Sequence, residues 1–285
     1  MEEPRYDFTG DRLLLFIGND GADEAQYKLD IIGGSLNGPI DKRPKCAVLL
    51  ARKKDASSSN HIVIRNLNID GAYGKAGIIC AGAECVSIQD TISHSLTSPA
   101  LLVCNSFEGS GLSTMQKFEY VNGELAADST PIVVIEQQRK IISDIVFRGV
   151  EFTQNGTASS AIQIITDFGA EALEIDNIVF DCCRFECESA SRLIEILGNN
   201  KVSVNFISFR DCSIDCSGPV IYAPGMSLGV ITFDSTRWSG RLNATFTSMV
   251  VAKSCYELNV RSCGYMRAPQ FTLVENQAKV VNVKH

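Results

Sequence analysis

A single pattern, φ-x-φ-x-x-φ-x-φ with φ apolar, recurs from one end of this chain to the other. Side chains of a strand alternate faces, so each unit reads as two inward residues, a two-residue bend and two more inward residues. The clearest copy carries Ile207, Phe209, Cys212 and Ile214 in the inward places. Upstream of it lie Leu29, Ile31, Gly34, Leu36; Ile62, Ile64, Leu67, Ile69; and Val86, Ile88, Thr91, Ser93. Phe118, Tyr120, Gly123, Leu125; Ile145, Phe147, Val150, Phe152; and Ile178, Phe180, Cys183, Phe185 continue the series. Downstream come Ile231, Phe233, Thr236, Trp238; Leu258, Val260, Cys263, Tyr265; and a truncated copy, Val281 and Val283. The spacing varies, from 23 residues between Leu258 and Val281 to 33 between Leu29 and Ile62. A constant unit with an irregular period describes a coil of fixed cross-section whose corner loops differ in length.

A shorter apolar strand lies between successive units. Its copies include Val48-Leu49-Leu50, Ile78-Ile79-Cys80, Leu102-Val103-Cys104, Ile132-Val133-Val134, Ile162-Gln163-Ile164, Ile194-Glu195-Ile196, Val220-Ile221-Tyr222 and Met249-Val250-Val251. Three short strands per turn, without a convincing helix, predict an all-β, single-stranded parallel β-helix of nine to ten rungs. At about 4.8 Å per rung the stack would be roughly 40–45 Å long. Residues 1–12 read as a lead-in and 13–285 as the β-helix domain, expected to lack one or both end caps. A β-sandwich would need hairpins with Asn-Gly type turns, which are scarce here.

Units such as His61-Ile62-Val63-Ile64-Arg65-Asn66-Leu67-Asn68-Ile69-Asp70-Gly71 resemble rungs of the right-handed parallel β-helix of the pectate-lyase-like superfamily. That group includes pectate lyases, polygalacturonases and bacteriophage tailspikes, and the likeness is greatest to tailspike and tail-fibre domains. It is specific for architecture and unspecific for activity, because the scaffold hosts many functions.

Composition removes several classes of function. The 285 residues carry a formal net charge of -7, with no basic stripe to neutralise phosphates, so nucleic acid is not an expected partner. Apolar runs such as Leu13 to Ile17 are far too short for membrane insertion, and Met1 to Arg5 lacks the basic start of a secretory signal. A virion protein of a phage tail, or a protein made in the cytoplasm without a signal peptide, is expected; a secreted or cell-surface adhesin is the alternative. Eleven cysteines form no zinc-ribbon pair and have only three histidines for company, so they read as buried free thiols. No cofactor and no metal is expected.

The second bend position holds Gly33, Asn66, Asp90, Asn122, Gly149, Cys182, Asp211, Ser235 and Ser262, a set rich in residues that tolerate left-handed backbone. The first bend position points outward, and from Arg148 through Asp181, Arg210 and Asp234 to Arg261 its charge alternates. Such pairs add at most about 1 kcal/mol each but disfavour a slip of register. On the short strand, Leu49, Ile79, Val103, Val133, Gln163, Glu195, Ile221, Val250 and Thr272 are read as outward. Leu49, Ile79, Val103, Val133, Ile221 and Val250 would then be an apolar patch on a wet face, which predicts an oligomer interface and a homotrimer.

The resemblance implies that the outside of this same sheet carries the catalytic groups in the lyases, whereas here it reads as Leu, Ile and Val. The Asn-Thr-Asp, Asp-Asp, Gly-His-Gly and Arg-Ile-Lys signatures of polygalacturonases are absent. Loop carboxylates remain, and Asp167 with Glu136 or Glu188 is the pair to inspect for glycoside hydrolysis, which needs two carboxylates about 5–9.5 Å apart. The leading expectation is a structural, receptor-binding shaft of a phage-type tailspike or fibre. It would meet other virion proteins at its ends and a cell-surface polysaccharide along its side. The alternative is a polysaccharide lyase or glycoside hydrolase built from loop carboxylates.

Overall fold

A computed structural model describes residues 5–6, 12–17, 27–51, 60–81, 85–104, 115–137, 142–166, 173–187, 189–198, 202–239, 249–265 and 278–284. They form an all-β parallel solenoid, consistent with the parallel β-helix superfamily. The bent units stack in register: Asn60–Gly71 on Tyr27–Gly38, Ile142–Gln154 on Met115–Ala127, Val202–Arg210 on Leu173–Asp181, and onward to Ala278–Lys284. The short strands stack likewise, through Cys46–Ala51, Ala76–Ala81, Leu101–Cys104, Val133–Gln137, Ile162–Thr166 and Ile194–Leu197. About six turns are full ones, fewer than the expected nine to ten rungs. The strand after the bend shortens on the C-terminal side, to Arg237–Trp238 and Gly264–Tyr265.

The bend behaves as its residues demand. All nine second-bend residues have positive φ, between 48° at Asp90 and 75° at Gly33. In that conformation the side chain crowds the next carbonyl, a cost that glycine avoids and that short polar side chains tolerate best. Because the bend is fixed in each rung, the strands on both sides of it inherit one register. Ile145 therefore pairs with Ile178, Phe147 with Phe180, and Phe152 with Phe185.

Inside, aromatic side chains stack as columns. Phe147, Phe180, Phe209 and Phe233 lie face to face with centroids 5.3, 4.9 and 5.1 Å apart. Phe152 and Phe185 form a second stack at 4.6 Å, set edge-on to the first. Ring pairs of this kind are worth about 0.5–1.5 kcal/mol each beyond the area they bury. Tyr120 occupies the same kind of place, and its hydroxyl donates to the Thr91 carbonyl at 2.8 Å. Gly123 makes room for it: a Cβ there would lie 2.8 Å from the Tyr120 ring and 2.2 Å from the Thr91 carbonyl oxygen.

Just past the bend, small hydrogen-bond donors face inward. The Thr236 hydroxyl donates to the Phe209 and Asp234 carbonyls, and the Cys212 thiol to those of Phe180 and Arg210. Cysteine and threonine are interchangeable here because both offer one short donor with little bulk. The cysteines are free, and Cys183, Cys187, Cys212 and Cys216 are buried.

The short-strand face corrects the sequence reading by one residue. Leu49 and Ile79 do point outward, but they continue in register to Leu102, Val134, Gln163, Glu195, Tyr222 and Val251. Val103, Val133, Ile221 and Val250 instead belong to the solenoid core and are fully buried. The apolar part of the true outer row is covered too: Leu49 is 2%, Ile79 0%, Leu102 7% and Val134 8% exposed within one chain. With Cys46, Ala76, Ala81 and Cys104 they make a second small core outside the coil. The six residues expected to meet a partner subunit are thus buried within one chain.

Candidate functional site

Along the outer row of the short strands, chemistry changes abruptly at one rung. Apolar side chains from Leu49 to Val134 give way to Gln163, Glu195 and Tyr222 on three successive turns. Stacking at strand spacing places these groups against one another without any local motif. Glu195 is 4% exposed, although it sits on the outside of the sheet. Its Oε2 accepts from the Ser159 hydroxyl at 3.2 Å, the Ser160 hydroxyl at 3.3 Å and the Gln163 amide at 3.3 Å. Its Oε1 accepts from the Arg192 guanidinium. That guanidinium in turn lies 3.7 Å from the centre of the Tyr222 ring. The six side chains form one connected patch spanning three turns.

This arrangement has a definite chemical meaning. An ionised carboxylate offers about four lone-pair sites, and Glu195 receives four donors. Four donors offset the cost of burying the carboxylate, while Nε of the paired Arg192 is buried without a hydrogen-bond partner. To act as a general base Glu195 would have to give up bonds that keep its charge tolerable in the interior. What the patch does supply is a fixed array of planar polar groups: an amide, a guanidinium and a phenol ring.

The residues singled out from sequence fare differently. Asp167 and Glu188 lie outside the described residues. Glu136 is half-buried on Val133–Gln137, in register with Cys104 and Ile165, so its immediate strand neighbours are not charged. At the outer bend, Asp181, Cys182 and Asp211 bring three candidate metal ligands within 4.8 Å of one another. Desolvation and the charges of Asp181 and Asp211 push the Cys182 thiol above its ordinary value, which disfavours the thiolate a metal needs. The Glu195 patch was legible only in part. Gln163 and Glu195 stand out as the polar members of an apolar series, but nothing local ties Ser159, Ser160 or Tyr222 to them.

No protein-family model, curated protein or solved structure matches this chain. Among the described residues, no helix is long and apolar enough to cross a membrane.

Proposed function

We propose that the chain is a non-catalytic, receptor-binding shaft of a phage-type spike or fibre, which recognises a cell-surface polysaccharide on the polar half of its short-strand face. The observation that carries this reading is the enclosure of Glu195 by four donors. Both of its oxygens are committed to neighbours, so the patch is organised to hold a surface still rather than to move a proton. Gln163, Arg192 and Tyr222 are the groups that pair with sugar hydroxyls and ring faces, and the contacts of Gln163 with Glu195 and of Arg192 with Tyr222 lower the entropy lost on binding. A stack of parallel rungs suits a shaft, because each turn is braced by the turns on either side.

Titration calorimetry with capsular and pectic polysaccharides tests it, run beside assays of reducing-end release and unsaturated-uronate absorbance. Binding without product is expected, weakened about tenfold in Tyr222→Ala by loss of the ring contact. Product formation would favour the polysaccharide-degrading alternative, and an unchanged affinity in Tyr222→Ala would move the contact away from this patch.

A further inference from the structure

On the opposite side of the bend, at the end of the third strand, a histidine is held between two carboxylates on different turns. His94 Nδ1 lies 2.9 Å from Asp70 Oδ1, and Nε2 lies 2.9 Å from Asp128 Oδ1. Asp70 is in register with His94 on the preceding turn, and Asp128 follows the strand that pairs with Ile92–Ser95 on the next. Asn155, one turn further on, donates to the same Asp128 oxygen at 3.1 Å. The backbone repeats the link, since Leu96 N–H donates to the Gly71 carbonyl and Asp128 N–H to the Ser95 carbonyl. Four successive turns are therefore tied at one corner.

Carboxylate oxygens accept and do not donate, so a ring bonded to one through each nitrogen must carry a proton on both. We propose that His94 is a proton-held clip, whose loss of one proton releases one of its two carboxylates and lets this corner of the solenoid open locally. The ring is only partly exposed, and its own strand, Ile92–Ser95, supplies no other charged side chain. Facing it are Asp70 from Asn60–Gly71 and Asp128 after Met115–Ala127, with Glu124 beside Ile92 one step away. The nearby Tyr73 donates its hydroxyl to the Leu36 and Asp70 carbonyls, so its phenol proton is engaged elsewhere.

The titration follows the geometry. Burial lowers the pKa of the His94 ring, but the bonds and charges of Asp128 and Asp70 outweigh it and raise the value above the ordinary 6.5. Burial raises that of Asp128, and the bonds from His94 and Asn155 outweigh it and lower the value below the ordinary 3.8. The histidine contribution is complete below 6.5 and lost as pH rises through the raised value. The aspartate contribution is complete above 3.8 and lost as pH falls through the lowered value. The clip is closed between them and opens on the alkaline side.

Long-range proton–nitrogen NMR on the whole chain, with His94 assigned through His94→Gln, reads both ring nitrogens directly. Two protonated nitrogens at pH 6 are expected, with a midpoint above 6.5 that falls in Asp70→Asn and again in Asp128→Asn. Amide exchange at Leu96 and Asp128 should accelerate through that midpoint by more than the amides of distant turns, and His94→Gln should abolish the step. A bare ring nitrogen at pH 6, a midpoint at or below the ordinary value, or exchange that ignores it would each overturn the clip. The wild-type titration decides the matter even if the variants do not fold.

Discussion

Asp211 shows how much a single residue owes to backbone geometry. Its carboxylate is exposed and its φ is 51°, a conformation that costs an ordinary L-residue about 1–2 kcal/mol. Asparagine, aspartate, serine, cysteine and glycine share that place across the stack, which is a list of residues that bear the strain and not of residues with a common reactivity. Asp211→Val should therefore be less stable than Asp211→Gly by about 1–2 kcal/mol in urea unfolding, because a β-branched side chain meets the penalty in full. Equal stability of the two variants would mean that the bend is not what selects the residue. His94 makes a complementary point. Read alone it is a surface residue beyond a strand, yet its column contains Asp70 one turn earlier, so its first partner is visible once the repeats are aligned.

At the scale of the element, the two kinds of strand differ in how well they announce themselves. The bent units alternate apolar with polar residues on each side of a fixed turn, and every inward position read from sequence between Ile62 and Trp238 faces the core where a side chain exists. The short strands lack that contrast. Leu101-Leu102-Val103 and Ile132 to Ile135 are apolar on both faces, so a period of two has no phase, and a slip of one residue costs nothing in the pattern. The outward apolar residues of these strands pack with one another into a second small core, which sequence could not supply. Column packing should be felt strongly at its centre. Phe180 stacks on Phe147 and Phe209 and meets Phe152 and Phe185 edge-on, so Phe180→Ala should cost about 3–5 kcal/mol in chemical denaturation. A loss under 1 kcal/mol would show that the column relaxes into the space, contrary to close packing.

At the scale of the molecule, each turn touches mainly the turns before and after it, so stability is built from rung and interface terms added in series. Buried thiols report on that stack. Burial pushes the Cys216 thiol up to about 12, and the Cys187 and Cys212 thiols are raised as well, so none forms an appreciable thiolate at neutral pH. Labelling by a thiol reagent should accordingly spare these three in the native protein and reach them only as the coil opens, with kinetics that follow unfolding. Rapid native labelling, located by peptide mass, would mean that the central turns open on their own. The exposed Cys182 serves as the internal contrast, its thiol raised by desolvation and neighbouring charge but open to reagent.

The sequence by itself determined the all-β parallel coil, the position of every bend and the inward residues beside it. Its repeats carry a strict alternation around a turn with few permitted residues, and both are local properties. Tertiary structure decided which side of the short strands faces out, because a run apolar on both faces is phased only by its neighbours in the stack. It also decided the Glu195 patch and the His94 clip. Their members come from different turns, and only stacking brings Ser159 to Glu195 or Asp70 to His94.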